Sequence, residues 1–448
     1  MKDLTKGNIP KLIFSFAIPL LFGNIFQLFY NLADTRIVGE FVGENALGAV
    51  GATSALNTVI VGFLNGLSNG FGIVSAKYFG EKSYDKLKRS VAHALMLGLG
   101  TSLIFTIASL IFTEPLLKVL NTPNSIIEQS KAYITIIFAG MTATLLYNVC
   151  AGMLSAIGDT LSPLIFLIIS TFVNIGLDLL FVRVFNMGVE GAAYATIIAQ
   201  ALSFILCMIY IAKKHRILVP RLKDFKLDKR LSLDMYSTGF SMGLMISLVG
   251  IGTVVMQGAI NNFGTKIIVS HTISRKISEI YFLPISVFGM ASATFSSQNF
   301  GAGKIDRVKK GLITTTLITF GWSLIVILAS WTITPFLAKL ITGTSNSEII
   351  AITVKYMKIN TALYFVLDIV IMFRNALQGV GDKITPIVSS IIELVGKCLV
   401  AKMLAPKLGY LGIMISEPLV WIGMAIILTI GFLTNKNLRN KQSVKTAA

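Results

Sequence analysis

The sequence predicts an all-α polytopic membrane protein, with twelve transmembrane helices in two parallel six-helix repeats, and three observations carry that prediction. Of its 448 residues, 54% are hydrophobic and only 13% charged, roughly half the charge of an ordinary soluble domain. The apolar residues gather in runs long enough to cross about 30 Å of hydrocarbon as helices. The second half of the chain also repeats landmarks of the first at offsets of about 221 to 223 residues, which marks one duplication rather than chance.

The first six runs fall near 13–38, 47–76, 91–113, 131–157, 162–184 and 190–212. After a charged connection they recur near 237–262, 268–298, 309–333, 352–379, 386–405 and 411–434. Residues 1–212 are therefore read as an N-terminal six-helix lobe, 213–236 as a basic cytoplasmic linker, and 237–448 as a C-terminal six-helix lobe ending in a basic cytoplasmic tail. Phe79-Gly80, Asp85 and Lys88-Arg89 return as Phe300-Gly301, Asp306 and Lys309-Lys310. Gly158-Asp159 with Pro163 returns as Gly381-Asp382 with Pro386, and Gly188-x-x-Gly191 as Gly409-x-x-Gly412. Six spans is an even number, so the second copy enters from the same side as the first. The repeats are then parallel, with substrate expected near the seam of two lobes that rock for alternating access.

The net charge of +18 raises nucleic acid as a partner, but its distribution argues for a bilayer instead. About 25 of the Lys and Arg lie in alternate connections and the two ends, against about 10 in the intervening connections, the asymmetry of cytoplasmic loops. Both termini are expected in the cytoplasm, with the chain in the cell's inner (cytoplasmic) membrane and no nucleic-acid partner. The stretch 213–234 alone holds eight Lys and Arg and reads as a solvated linker near anionic lipid. The first apolar run is long, carries a polar stripe and lacks a small-residue cleavage site, so it reads as a retained helix rather than a signal peptide.

Several classes drop out. Cys150, Cys207 and Cys398 all lie in apolar runs, as free thiols rather than a disulfide framework. His93, His215 and His271 are far apart and stand near no Cys or acid at metal spacing, and no phosphate loop of the Lys-Ser/Thr type is present. Neither an enzyme nor an organic cofactor is expected, and a monomer is. The glycines from Gly66 to Gly72 are read as a close helix contact.

The informative residues are polar ones inside the spans. Asn24, Gln27, Asn31 and Asp34 recur at spacings of three, four and three, a narrow polar stripe on an apolar rod. In the fifth run Thr171, Asn174 and Asp178 share a face. At about 1.5 Å per residue both acids lie in the outer half of the membrane, level with Tyr133 and Thr196 at the starts of the fourth and sixth runs. Two carboxylates in a low-dielectric pocket cannot both stay ionised cheaply, so one must take a proton or both must hold a cation. The plainer alternative is that they accept from Asn, Tyr and Thr donors and lock the lobe; the scarcity of intramembrane Asp favours the first reading.

The second lobe is not a copy here, since Ala401 stands opposite Asp178 and Val255 opposite Asp34. Its own ionisable residues are Asp368 and Arg374 in the tenth run, Glu393 and Lys397 in the eleventh, and Glu417 in the twelfth. Glu393 and Lys397, at i and i+4, are expected to pair. Asp368 either pairs with Arg374 or serves as a second cavity acid. Arg275, Lys276 and Glu279 form a short charged cluster.

These residues together resemble the multidrug and toxic compound extrusion (MATE) transporters, within a superfamily that also holds lipid-precursor flippases. The resemblance covers nearly the whole chain. It rests on Asp34-Thr35 with Gly39 and the 43–51 glycines, on Asn174-Ile175-Gly176-Leu177-Asp178, on 188–196, and on the duplicated Gly-Asp-x-x-x-Pro turns. It implies a V-shaped two-lobe transporter exporting amphipathic, mostly cationic small molecules in exchange for H+ or Na+. It further implies an ion-coupling set of Asp34, Asp178, Asn174, Thr196, Tyr133 and Asn148, with Na+ held at Asp34, Asn174, Asp178 and Thr196. Asn31, Gln27, Asp368 and Arg374 are the substrate-cavity candidates. One branch of the family carries an acid in its seventh helix, whereas 239–264 has none, which makes the N-terminal lobe the expected cation site. Pro19 deletes one helical hydrogen bond and is an expected weak point of the first helix. The alternative function, a lipid-linked saccharide flippase, would want a strongly basic cavity.

Overall fold

In a bilayer every backbone polar group must be satisfied within the chain, so the twelve apolar runs have helix as their accessible state. The computed structural model describes residues 1–120, 122–343 and 346–439, apart from the side chains at 55 and 342; the tail beyond 439, read above as basic and cytoplasmic, lies outside the described residues. Those residues are helical along the apolar runs apart from short turns, as at 140 and 362–363, and contain no strand. The helices are α1 (Ile9–Phe41), α2 (Glu44–Gly80), α3 (Tyr84–Val119), α4 (Ile127–Ala139), α5 (Met141–Ala156), α6 (Leu161–Asp178), α7 (Gly188–Lys214), α8 (Lys229–Ile260) and α9 (Thr265–Gly301). They continue as α10 (Ile305–Thr332), α11 (Thr334–Thr342), α12 (Ser347–Thr361), α13 (Tyr364–Gly379), α14 (Ile384–Leu399), α15 (Ala405–Leu408), α16 (Tyr410–Met414), α17 (Ser416–Thr434) and α18 (Lys436–Arg439).

Among the described residues ten helical segments are long and apolar enough to span, and twelve if two bent pairs each count once. The pairs are α4 with α5, bent by 45°, and α12 with α13, bent by 52°. The sequence reads both as unbroken. Their breaks fall at the same place in each repeat, and at Gly140 a side chain would drive a Cβ to 2.2 Å from Ile197. Along the spans, exposed residues such as Ile104, Ile111, Leu317 and Leu328 are apolar, the surface a lipid environment requires.

The duplication is visible in three-dimensional detail. Gly158 and Gly381 take φ of 79° and 84°, the left-handed conformation that ends a helix without Cβ strain. Each is followed by an Asp that caps the next helix. Asp159 accepts from Ser162 N (3.1 Å) and Oγ (2.8 Å), and Asp382 from Thr385 N (3.0 Å) and Oγ1 (2.8 Å). Burial alone would push the Asp159 carboxyl up, but these bonds and His215 hold it below the usual carboxylate range. A π-helical turn follows α6 at Leu179–Val184 and α14 at Val400–Leu404. By these turns the counterpart of Asp178 is Leu399 rather than Ala401, and again no acid.

By internal contacts the chain forms two compact units, 1–3 with 18–247 and 4–17 with 248–448. Both α1 and α8 are thus shared, α1 dividing next to Pro19. In the first unit Leu67, Phe71, Leu87, Phe138 and Leu154 are fully buried. There α2 and α8 touch through glycine, since a Cβ on Gly70 would lie 2.4 Å from Gly239 Cα and one on Gly66 2.6 Å from Gly243 Cα. That is the close contact expected of the Gly66 to Gly72 stretch. In the second unit α9 and α13 approach comparably, with a Cβ on Gly379 only 2.5 Å from Ala293 O. Residues 4–17 join it through Leu4, whose N donates to Gln298 Oε1 (2.9 Å) and whose O accepts from Arg307 Nη2 (3.2 Å).

Candidate functional site: a carboxylate pair in the first unit

The polar stripe of α1 turns inward as it climbs. Asn31 is exposed and accepts from Gln27 Nε2 at 3.4 Å, whereas Asp34, one turn later, is buried. On α6 the side chain of Thr171 bonds back to Leu167 O at 2.8 Å, so it is satisfied by its own helix. Asn174 and Asp178 follow on the same face, both fully buried.

The tertiary structure brings these groups together. Asp178 and Asp34 interact electrostatically, and Tyr133 of α4 lies within electrostatic range of both. Tyr30, one turn before Asp34, sits beside Thr196 of α7 and within range of Asp34, Asp178 and Tyr133. Five oxygen-bearing side chains from α1, α4, α6 and α7 therefore meet at one level. Tyr30 is absent from the sequence-derived set. Its position four residues before Asp34 was the available signal, since i and i+4 share a helix face.

Asn148 does not join this group. It lies fifteen residues past Tyr133, about 20 Å along the helical path, and its Nδ2 donates to Asn65 Oδ1 of α2 at 2.6 Å. Asp368 and Arg374 belong to the second unit and do not pair with each other in its hydrogen bonds and ion pairs: Asp368 accepts from Ser323 Oγ at 2.7 Å, and Arg374 faces Glu393 at 3.6 Å. At i and i+6 they stand about 120° apart around α13. The expected Glu393 and Lys397 pair is present at 2.9 Å.

What distinguishes the first-unit cluster is what it leaves unmade. Asp34 Oδ1, both carboxylate oxygens of Asp178, and both side-chain polar atoms of Asn174 are buried without a hydrogen-bond partner. Buried polar atoms are satisfied in the great majority of cases, so five orphans in one place need a ligand or a function. Among the described residues no three His, Cys, Asp or Glu side chains converge on a metal position. The donor set is instead carboxylate, amide and hydroxyl oxygen, suited to a proton or a hard monovalent cation and not to a transition metal.

Comparison with known proteins bears on the whole chain. The family model described as MatE matches residues 19–180 and again 240–401, the same duplication that the turns display. A Bacillus subtilis (strain 168) relative, "Probable multidrug resistance protein YpnP", is 29% identical over 309 residues, 68% of each chain. The Staphylococcus aureus (strain N315) "Multidrug export protein MepA" is 22% identical over 84% of this chain and 83% of its own. Among solved structures, an outward-facing multidrug resistance MATE family transporter superposes with a TM-score of 0.87 at 23% identity, covering 96% of both chains. A MATE crystal structure in the bent conformation gives 0.89 at 21%, covering 99% and 98%. At that identity the structural likeness establishes the fold.

Proposed function

Because the chain belongs to the MatE family, we propose that it is a secondary transporter exporting amphipathic, mostly cationic small molecules across the cytoplasmic membrane, in exchange for H+ or Na+ bound at Asp34 and Asp178. The observation that carries this reading is the cluster of orphaned buried oxygens. An unpaired carboxylate in hydrocarbon costs at least about 2.5 kcal/mol, and two side by side repel as well. A proton or a small cation removes that cost. A lipophilic cation removes it too, so the two compete for the same negative charge.

Exchange follows from that competition. With the site open outward, the coupling ion neutralises Asp34 and Asp178 and the cationic substrate loses its partner. With the site open inward, where the ion is scarcer, the ion leaves and the charge is restored for the next substrate. Asn174, Thr196, Tyr133 and Tyr30 supply neutral oxygens around the pair. Pro19, whose missing N–H weakens α1 next to the point where that helix passes from one unit to the other, gives the first helix a place to bend. The distribution of Lys and Arg supports a cytoplasmic position for both termini.

Dye efflux from proteoliposomes, driven first by an imposed pH gradient and then by an imposed sodium gradient, tests the proposal and identifies the ion. Asp34→Asn is expected to lower gradient-driven efflux at least tenfold. Efflux at the wild-type rate in that variant would sink the coupling role.

A further inference from the structure

Within the second unit, α8, α9, α12, α14, α16 and α17 line a partly open cavity of about 40 Å³, with Arg275, Tyr356, Lys397 and Glu417 among its walls. One water needs about 10–15 Å³, so the space admits a small ion or the head of a ligand. Its walls are the end of an unbroken row of alternating charges. Arg374 faces Glu393 at 3.6 Å, Glu393 binds Lys397 at 2.9 Å, Lys397 lies 4.0 Å from Glu417, and Glu417 binds Arg275 at 2.8 Å.

The row begins and ends with a cation, so three positive charges meet two negative ones. Glu417 has no capacity to spare: Oε1 takes both Arg275 and Lys397, while Oε2 accepts from Asn360 Nδ2 at 3.2 Å and Tyr356 Oη at 3.5 Å. Arg275 is the reverse case. A guanidinium has five N–H donors; Glu417 takes one, Tyr356 lies beside another, Glu279 is within electrostatic range, and the side chain is 34% exposed. Asp368 does not supply the missing negative charge to the row, because its carboxylate turns to Ser323 of α10. A surplus cation with unused donors, at the wall of a cavity inside an apolar bundle, is completed by an anion.

We propose that this cavity binds one monovalent anionic group, a carboxylate or a halide, between Arg275 and Lys397. The site is independent of which ion drives transport and of the carboxylate pair in the first unit. Glu417 then has a second role besides structure. Its carboxylate occupies the same two cations that the ligand uses, and so competes with it.

Thermal unfolding of the full chain in nanodiscs, titrated with sodium benzoate or sodium chloride at ionic strength held constant with sodium sulfate, reads the binding through stabilisation. Wild-type protein is expected to show a saturable rise in midpoint, and Arg275→Gln to weaken the apparent affinity at least tenfold. Glu417→Gln is expected to tighten it severalfold, because the internal competitor is gone. Saturation by benzoate alone identifies a carboxylate as the occupant, and displacement of benzoate by chloride identifies a small free anion; either supports the site. No saturable effect of either salt on the wild type, or an equal one in Arg275→Gln, overturns it. Should Arg275→Gln fail to fold, Glu417→Gln decides by its sign, since unchanged or weaker binding overturns the proposal.

Discussion

In the first unit Asp34 and Asp178 are buried within electrostatic range of each other, with three of their four carboxylate oxygens unpartnered; in the second unit Glu393 and Glu417 each sit between two cations. Both sets stand on the same duplicated scaffold, with matching Gly-Asp turns and matching π-helical turns. The contrast therefore comes from side chains and not from backbone. It teaches that one architecture can store charge in two ways. Left unpaired, buried charge is a standing demand for a mobile ion. Arranged in alternation, it ties α9, α13, α14 and α17 together and leaves one surplus positive charge on a row that ends in Arg374 and Arg275.

The largest expected effect comes from breaking the alternating row. Glu393→Gln leaves Arg374 and Lys397, both buried, facing an amide, and breaking a buried pair costs about 3–5 kcal/mol. The thermal midpoint of the purified protein should fall accordingly. Removing an unpaired acid should act in the opposite direction. Asp178→Asn takes a charge out of a pocket that has no partner for it, and the expected outcome is a gain of about 1 kcal/mol in stability together with loss of coupled efflux, the usual trade at a functional site. A loss of stability in Asp178→Asn as large as in Glu393→Gln would show that Asp178 is a paired, structural acid and would erase the contrast.

The smallest effect tests the shared turn. Asp159→Asn weakens a cap on α6 and should cost about 1 kcal/mol at neutral pH. The Asp159 carboxyl is held below its ordinary value when folded. Its contribution is thus present above the unfolded carboxylate range near pH 4 and fades as pH falls through the folded value. The difference in thermal midpoint between wild type and Asp159→Asn should shrink as pH is lowered from 6 toward 3. An unchanged difference across that range would show that charge plays no part in the cap.

Much of the fold was legible because its causes are local or compositional. The two breaks, in contrast, were not, because an apolar run looks the same whether its helix is straight or bent at Gly140. At the site, the spacing of Asn31, Asp34, Asn174 and Asp178 placed them on faces, and a rise per residue placed them at a depth. Spacing puts Tyr30 on the face of Asp34 but gives it no role, which comes from Thr196 of α7 beside it. Nor could it keep Asn148 out of the group, since only the packing of α2 against α5 supplies Asn65 as its partner.

By itself the amino-acid order determined the membrane-spanning helices, the parallel duplication and the intramembrane acids, because hydrophobic length, turn chemistry and charge rarity act along the chain. Which charge meets which was left to the tertiary structure. Asp368 and Arg374, six residues apart, face different helices, while Arg275 and Glu417 are neighbours across the unit at 2.8 Å. Electrostatic interaction depends on distance through space and on the local dielectric, and neither is written in the spacing of residues along a strand of sequence.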